Sequence, residues 1–184
     1  MNEFEKLKAK IELFGLLVEH KNNKEKWESF EKNNKINLPL DYKKYIDYYG
    51  TGCLAELIWI LNPFSNKSRF NILHFLEEKR KAFIVFEDIT EKKYPHKLFS
   101  EGTGIMPFAF TDNGDTLYWK INKNKQKHYN ILIFDSRQLL IEEYNMSFSE
   151  FLLNILNKSI ESKIINLGDI KGCTFNPLSF QSSK

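Results

Sequence analysis

The dipeptide Asn113-Gly114 constrains this chain more than any other feature. It sits inside Asp112-Asn113-Gly114-Asp115, between β-rich runs at 105–111 and 116–121. Both residues tolerate the positive φ that a type I′ turn demands at its two central positions. The segment is therefore predicted to be an antiparallel hairpin closed by such a turn. Residues 53–61 are mostly apolar and bounded by Gly52 and Asn62-Pro63, which predicts one further strand. Residues 129–135 supply another, and 139–144 a short edge strand.

The helical signals fall around these strands. Phe4, Leu7, Ile11, Phe14 and Val18 repeat on one helical face, predicting a helix over 3–20 with Asn2 as its cap and Glu5 three residues on. Trp27 and Phe30, one turn apart, predict a short second helix. In Leu38-Pro39-Leu40-Asp41-Tyr42, Pro39 suits the first helical position, where its missing N–H costs nothing. Tyr42, Tyr45, Ile46 and Tyr49 follow at helical spacing, and Gly50 stops the helix as a left-handed cap. Ser68 is predicted to cap a long charged helix containing Ile72, Leu73, Leu76 and Phe83. Period alone does not decide between helix and strand at 81–88. The stripe Leu76, Lys79/Arg80, Phe83/Ile84, Glu87 runs on without a turn signal and favours helix. Ser147-Phe148-Ser149-Glu150 is a capping box, with Met146 and Phe151 placed for a hydrophobic staple. Phe151, Leu152, Ile155 and Leu156 give that helix its buried side.

Helices first, then close-set strands with one intervening helix, then a last helix argue for an α+β fold. The sheet is expected to be mostly antiparallel, with a mixed sheet left open, and helices packed around it. At 184 residues the chain is expected to form one domain. Residues 158–184 are broken by Gly168, Gly172 and Pro177, yet Phe175, Leu178 and Phe180 predict that they pack on the rest. Aromatics reach 15% of the chain, and burial is their default. The other reading leaves some Tyr and Trp exposed as binding anchors. A net charge of +3 is too weak to imply nucleic-acid binding by itself. Cys53 and Cys173 form no C-x-x-C pair, and two thiols fit a reducing compartment. The start, Met1-Asn2-Glu3-Phe4-Glu5, lacks the basic and apolar regions of a signal peptide, and no apolar run reaches bilayer length. A cytoplasmic location without membrane partners is the expectation.

Several segments, in order, resemble the SUKH superfamily, the Smi/Knr-type domain. They are Trp27 with Phe30-Glu31, Leu38-Pro39-Leu40-Asp41-Tyr42-Lys43, Tyr48-Tyr49-Gly50-Thr51-Gly52 and Leu61-Asn62-Pro63. Met106-Pro107-Phe108-Ala109, Asn113-Gly114-Asp115, Leu117-Tyr118-Trp119 and Ser147-Phe148-Ser149-Glu150-Phe151-Leu152 complete the set. The resemblance spans about 24–157 and leaves 158–184 as an extension. It implies a compact α+β domain with neither catalytic activity nor cofactor. Bacterial members resemble immunity proteins that bind and block a cognate toxin, often a nuclease or deaminase. Eukaryotic members resemble regulatory interaction modules. The matched residues Trp27, Leu38, Pro39, Tyr42, Gly50, Pro63, Pro107, Phe108, Gly114, Asp115, Trp119 and Phe151 read as scaffold: core side chains, a helix start, a helix stop and a turn.

A search for chemistry supports the same reading. His20, His74, His96 and His128 lie far apart in sequence and make no metal-type spacing with cysteine. Phosphate-loop, nucleophile-elbow and dinucleotide patterns are absent, and Gly102-Thr103-Gly104 lacks the rest of a phosphate motif. Asp112 and Asp115 are the most enzyme-like pair, but aspartate is favoured beside Asn-Gly for turn geometry alone. Lys120, Lys123, Lys125 and Lys127, beside Tyr118, Trp119 and Tyr129, would suit nucleic acid by stacking and phosphate contact. A solvated loop, or contact with an acidic toxin surface, competes with that. For a basic toxin, the candidate contacts are Glu87, Asp88 and Glu91, Glu142 and Glu143, and Asp112.

Overall fold

The computed structural model describes residues 2–14, 24–122, 129–135, 140–166, 168, 170 and 172–178. Its centre is an eight-stranded sheet, ordered β1-β8-β2-β3-β4-β5-β6-β7 from edge to edge. The strands are β1 (Glu12–Leu13), β2 (Gly52–Leu54), β3 (Ile58–Ile60), β4 (Gly104–Thr111), β5 (Thr116–Ile121), β6 (Asn130–Phe134), β7 (Ile141–Tyr144) and β8 (Thr174–Pro177). Among the described strands only β1 and β8 pair in parallel, and the other strand pairings are antiparallel. The helices are α1 (Glu3–Lys10), α2 (Lys24–Asn34), α3 (Leu40–Tyr49), α4 (Ile72–Thr90) and α5 (Phe148–Leu156). The fold is therefore α+β with a mixed, mostly antiparallel sheet, as the sequence predicts.

The central hairpin forms, but its turn differs from expectation. Thr111 N–H donates to Asp115 O at 2.9 Å and Gly114 N–H to Thr111 O at 3.0 Å. Gly114 has φ 92°, whereas Asn113 is not among the positive-φ residues. A three-residue loop closes the strands, so one left-handed position suffices where type I′ would need two. Higher up the hairpin, the register shifts between Pro107 and Ala109. The shift lets β4 carry a proline, which has no N–H for the ladder.

Four further predictions change. The helix expected over 3–20 stops at Lys10, after the predicted Asn2 cap accepts from Glu5 N–H at 3.0 Å. Glu12 N–H donates instead to Cys173 O at 2.8 Å and Phe14 N–H to Phe175 O at 3.0 Å, so the C-terminal strand takes the amides a helix would have used. Val18 lies outside the described residues. The single strand at 53–61 is a hairpin, β2 to β3, turning at Ala55 (φ 53°) and Glu56 (φ 55°). Neither residue is a turn former, which is why the apolar run hid it. Ser68 starts a 3-10 turn, Ser68–Phe70, and Asn71 caps α4 instead, accepting from the N–H groups of Leu73 and His74. Residues 81–88 are helical, and the α5 capping box of Ser147 and Glu150 is complete. Pro39 sits at the cap position of α3, one residue before the helix.

The sheet is covered on both faces. On the first, α3 and α5 pack with α1, and α2 joins through Trp27, edge-on to Tyr42 at 6.1 Å. Tyr42, Phe108, Trp119 and Phe148 meet there, with centroid distances between 4.7 and 6.3 Å. On the second face, α4 sets Phe75 on Phe110 and Phe83 near Phe134, while Phe70 before the helix packs on Trp59 and Tyr94 after it near Phe134, which also meets Tyr118. Trp119 and its neighbour Tyr118 thus serve opposite faces, as strand alternation requires.

Candidate interaction surface

Most of the scaffold residues are inside the molecule, whereas Gly114 is exposed and Pro39 half-buried. Trp27 is buried, and its Nε1–H donates to Asp47 Oδ1 at 2.9 Å. Tyr42 is fully buried, and its hydroxyl donates to Leu61 O at 2.6 Å. Leu38, Phe108, Trp119 and Phe151 are buried in the core. Gly50 takes φ 71° and donates to Ile46 O at 2.9 Å, which ends α3. Pro63 O accepts from the Asn71 side chain, tying the Asn-Pro corner to the start of α4. Asp41 stands in the motif without an assigned role; its Oδ2 accepts from Ser149 N–H at 2.8 Å and joins the starts of α3 and α5.

The enzyme-like aspartates are occupied separately. Asp115 accepts from the Thr111 hydroxyl at 2.8 Å, and Asp112 accepts from Trp59 Nε1–H at 2.7 Å. Asp115 therefore braces the turn from within, and Asp112 ties the turn to β3. Among the described residues no group of three or more His, Cys, Asp or Glu is placed to hold a metal ion. His20 and His128 lie outside those residues. Both cysteines are free, and burial pushes the Cys53 thiol up to about 12, with Asp112 and Glu56 adding repulsion. No described helix is long and apolar enough to cross a membrane.

The nucleic-acid reading loses its stacking platform, because Tyr118 and Trp119 are buried and Tyr129 is packed against the core. Lys120 pairs with Glu143 at 2.9 Å. Lys123, Lys125 and Lys127 lie outside the described residues, as do Leu139 and Phe180. All three tryptophans are buried, in line with the burial reading, whereas Phe14 is exposed.

The acidic candidates do not converge on one patch. Glu142 and Glu143 are adjacent on β7 and therefore point to opposite faces. Glu142 holds the C-terminal segment, accepting from the Ser162 hydroxyl at 2.7 Å and Lys163 N–H at 2.6 Å. Glu143, on the α4 side, accepts from Asn130 at 2.8 Å. Burial pulls its pKa up, but the Asn130 and Lys120 hydrogen bonds outweigh this and hold it below the usual carboxylate range. Glu87 accepts from Tyr94 N–H at 3.2 Å, whereas Asp88 and Glu91 are exposed at the end of α4. An open groove of about 660 Å³ lies between β7 and the tail, lined by Glu142, Tyr144, Ile160, Lys163 and Ile165 among others.

The least expected surface is on α4. Ile84, Val85 and Ile89 are 60%, 55% and 76% exposed. The sequence stripe placed Ile84 with the buried Phe83 side. The apolar run at 83–86 wraps most of the helix, and only Phe83 and Phe86 turn towards Tyr94.

The family model described as SMI1-KNR4 cell-wall, a SUKH model, matches residues 24–152, well over half of the chain. The chain belongs to the SUKH family. That match begins at α2 and ends within α5, so the buried tryptophan, the Tyr42 core and the capping-box helix are family architecture. SUKH domains are in general non-catalytic immunity or regulatory modules associated with toxin partners. No curated protein and no solved structure matched the chain.

Proposed function

We propose that this SUKH domain is an immunity protein, which binds a cognate toxin and neutralises it by occupying its active or binding surface. The observation that carries the reading is family membership across 24–152, joined to a motif set whose large side chains Trp27, Leu38, Tyr42, Phe108, Trp119 and Phe151 are buried. A motif set occupied by packing leaves specificity to exposed side chains. The protein acts without catalysis or cofactor, in the cytoplasm, where Cys53 and Cys173 stay reduced. The toxin is of nuclease or deaminase type, as the family resemblance implies, and is met by the acidic groups at the end of α4 and beside β7. Asp88 and Glu91 have the exposure such a contact needs. Glu87, Asp112, Glu142 and Glu143 also make the internal bonds described above, so their removal acts on stability as well.

Size-exclusion chromatography with the toxin domain encoded beside this gene tests the reading. A one-to-one complex that survives dilution supports it; separate elution of both proteins at high concentration rejects it. A second reading, a regulatory interaction scaffold of the same fold, is favoured by the matching model's cell-wall description. It predicts capture of cellular proteins by a chain whose gene has no toxin neighbour.

A further inference from the structure

The outer face of α4 carries apolar and charged side chains in an order that complements itself when reversed. Lys81 and Asp88 each lie three or four residues from both Ile84 and Val85, on the solvent side of the helix. Ile84 and Val85 are 60% and 55% exposed, and the Lys81 side chain is 73% exposed. Setting a second α4 antiparallel across this face, with the two-fold axis between Ile84 and Val85, brings Ile84 of each helix to Val85 of the other. The same operation places Lys81 opposite Asp88 at both ends. An isologous interface needs this property, because one patch must fit its own copy.

We propose that α4 is a homodimerisation surface, pairing antiparallel with α4 of a second copy through Ile84 and Val85 and two reciprocal Lys81–Asp88 ion pairs. Bringing the helices together removes three large apolar side chains per copy from water, counting Ile89 beside the central pair. Lys81 now pairs with Glu78 at 3.0 Å, one turn back. An exposed pair of that kind contributes little, so exchanging it for a partly desolvated pair across the axis costs little. A contact made mainly by one helix from each copy falls at the small end of specific interfaces. The dimer is accordingly reversible and concentration-dependent. It goes beyond the toxin-binding reading and does not depend on it. Asp88 is common to both surfaces, so a toxin docking at the acidic end of α4 splits the dimer.

Sedimentation equilibrium of the full chain over a wide concentration range tests this. The apparent mass is expected to rise from 21.9 kDa towards twice that value. Lys81→Glu and Asp88→Lys should each weaken the dimer about tenfold or more, since each opposes like charges at both ends of the interface. The double variant K81E/D88K restores the pairs in reverse and should return the wild-type dissociation curve. Val85→Asp should hold the protein at monomer mass. These positions are exposed, and unchanged thermal melts of the variants at low concentration confirm that folding is intact. A monomer at every soluble concentration overturns the proposal. So does a dimer indifferent to the single charge reversals, or a double variant no better than the singles.

Discussion

Two tyrosines one helical turn apart on α3 show how a shared residue type divides in role. Tyr42 and Tyr45 are both fully buried, and burial raises the pKa of both. The Tyr42 hydroxyl donates to Leu61 O, a strand-end carbonyl, while the Tyr45 hydroxyl has no hydrogen-bond partner among the described residues. Tyr42→Phe should therefore cost about 1–2 kcal/mol in urea melts, because it strands a buried acceptor. Tyr45→Phe should be neutral or stabilise by up to about 1 kcal/mol, because it removes an uncompensated polar atom. Equal losses for the two variants would contradict the packing described. The sequence shows that both residues face inward, since helical spacing reports burial. It cannot show which hydroxyl meets a carbonyl, since that partner comes from a strand 19 residues away. The same limit hid Asp41–Ser149, which spans 108 positions.

At the scale of elements, signals carried by neighbouring residues were readable and those set by distant competition were not. The α5 capping box and the Asn-Gly hairpin lie within a few residues and formed where predicted, though the hairpin uses a three-residue loop. The end of α1 is decided by β8, more than 160 positions on, which takes the Glu12 and Phe14 amides. The β2–β3 turn carries alanine and glutamate at positive φ, so no turn residue marked it. α4 ends in a similar way. Glu91 adopts φ 56° and ψ 14°, donating its N–H to Glu87 O, in a conformation that normally selects glycine. Glu91→Gly should raise stability by about 0.5–1 kcal/mol, because the side chain's clash with the left-handed backbone disappears. A lower thermal midpoint would show that the Glu91 side chain stabilises α4 by a contact outweighing that strain. The exposed Ile84 and Val85 were not legible as surface, because an apolar run gives no inward direction when it surrounds the helix.

For the whole molecule, the family match and the sheet differ in extent. The match stops at residue 152, yet β8 at Thr174–Pro177 sits inside the sheet between β1 and β2. Phe175 is fully buried against Tyr45 and Tyr49, and Gly52 is the residue that lets its ring approach the backbone of β2. A chain ending at Ile170 would lose that ring and the hydrogen-bond partner of both β1 and β2. It should be less stable by at least about 3–5 kcal/mol, the usual cost of deleting a buried phenylalanine. An unchanged urea midpoint would show the C-terminal strand to be dispensable. The core on both faces of the sheet leaves function to the surface, and the central claim is that this surface neutralises a toxin by stoichiometric binding. Titrating the neighbouring toxin domain with this protein while following toxin activity tests that claim most directly. The account predicts a linear loss that reaches completion at one equivalent. Full toxin activity at a large excess of this protein would contradict it.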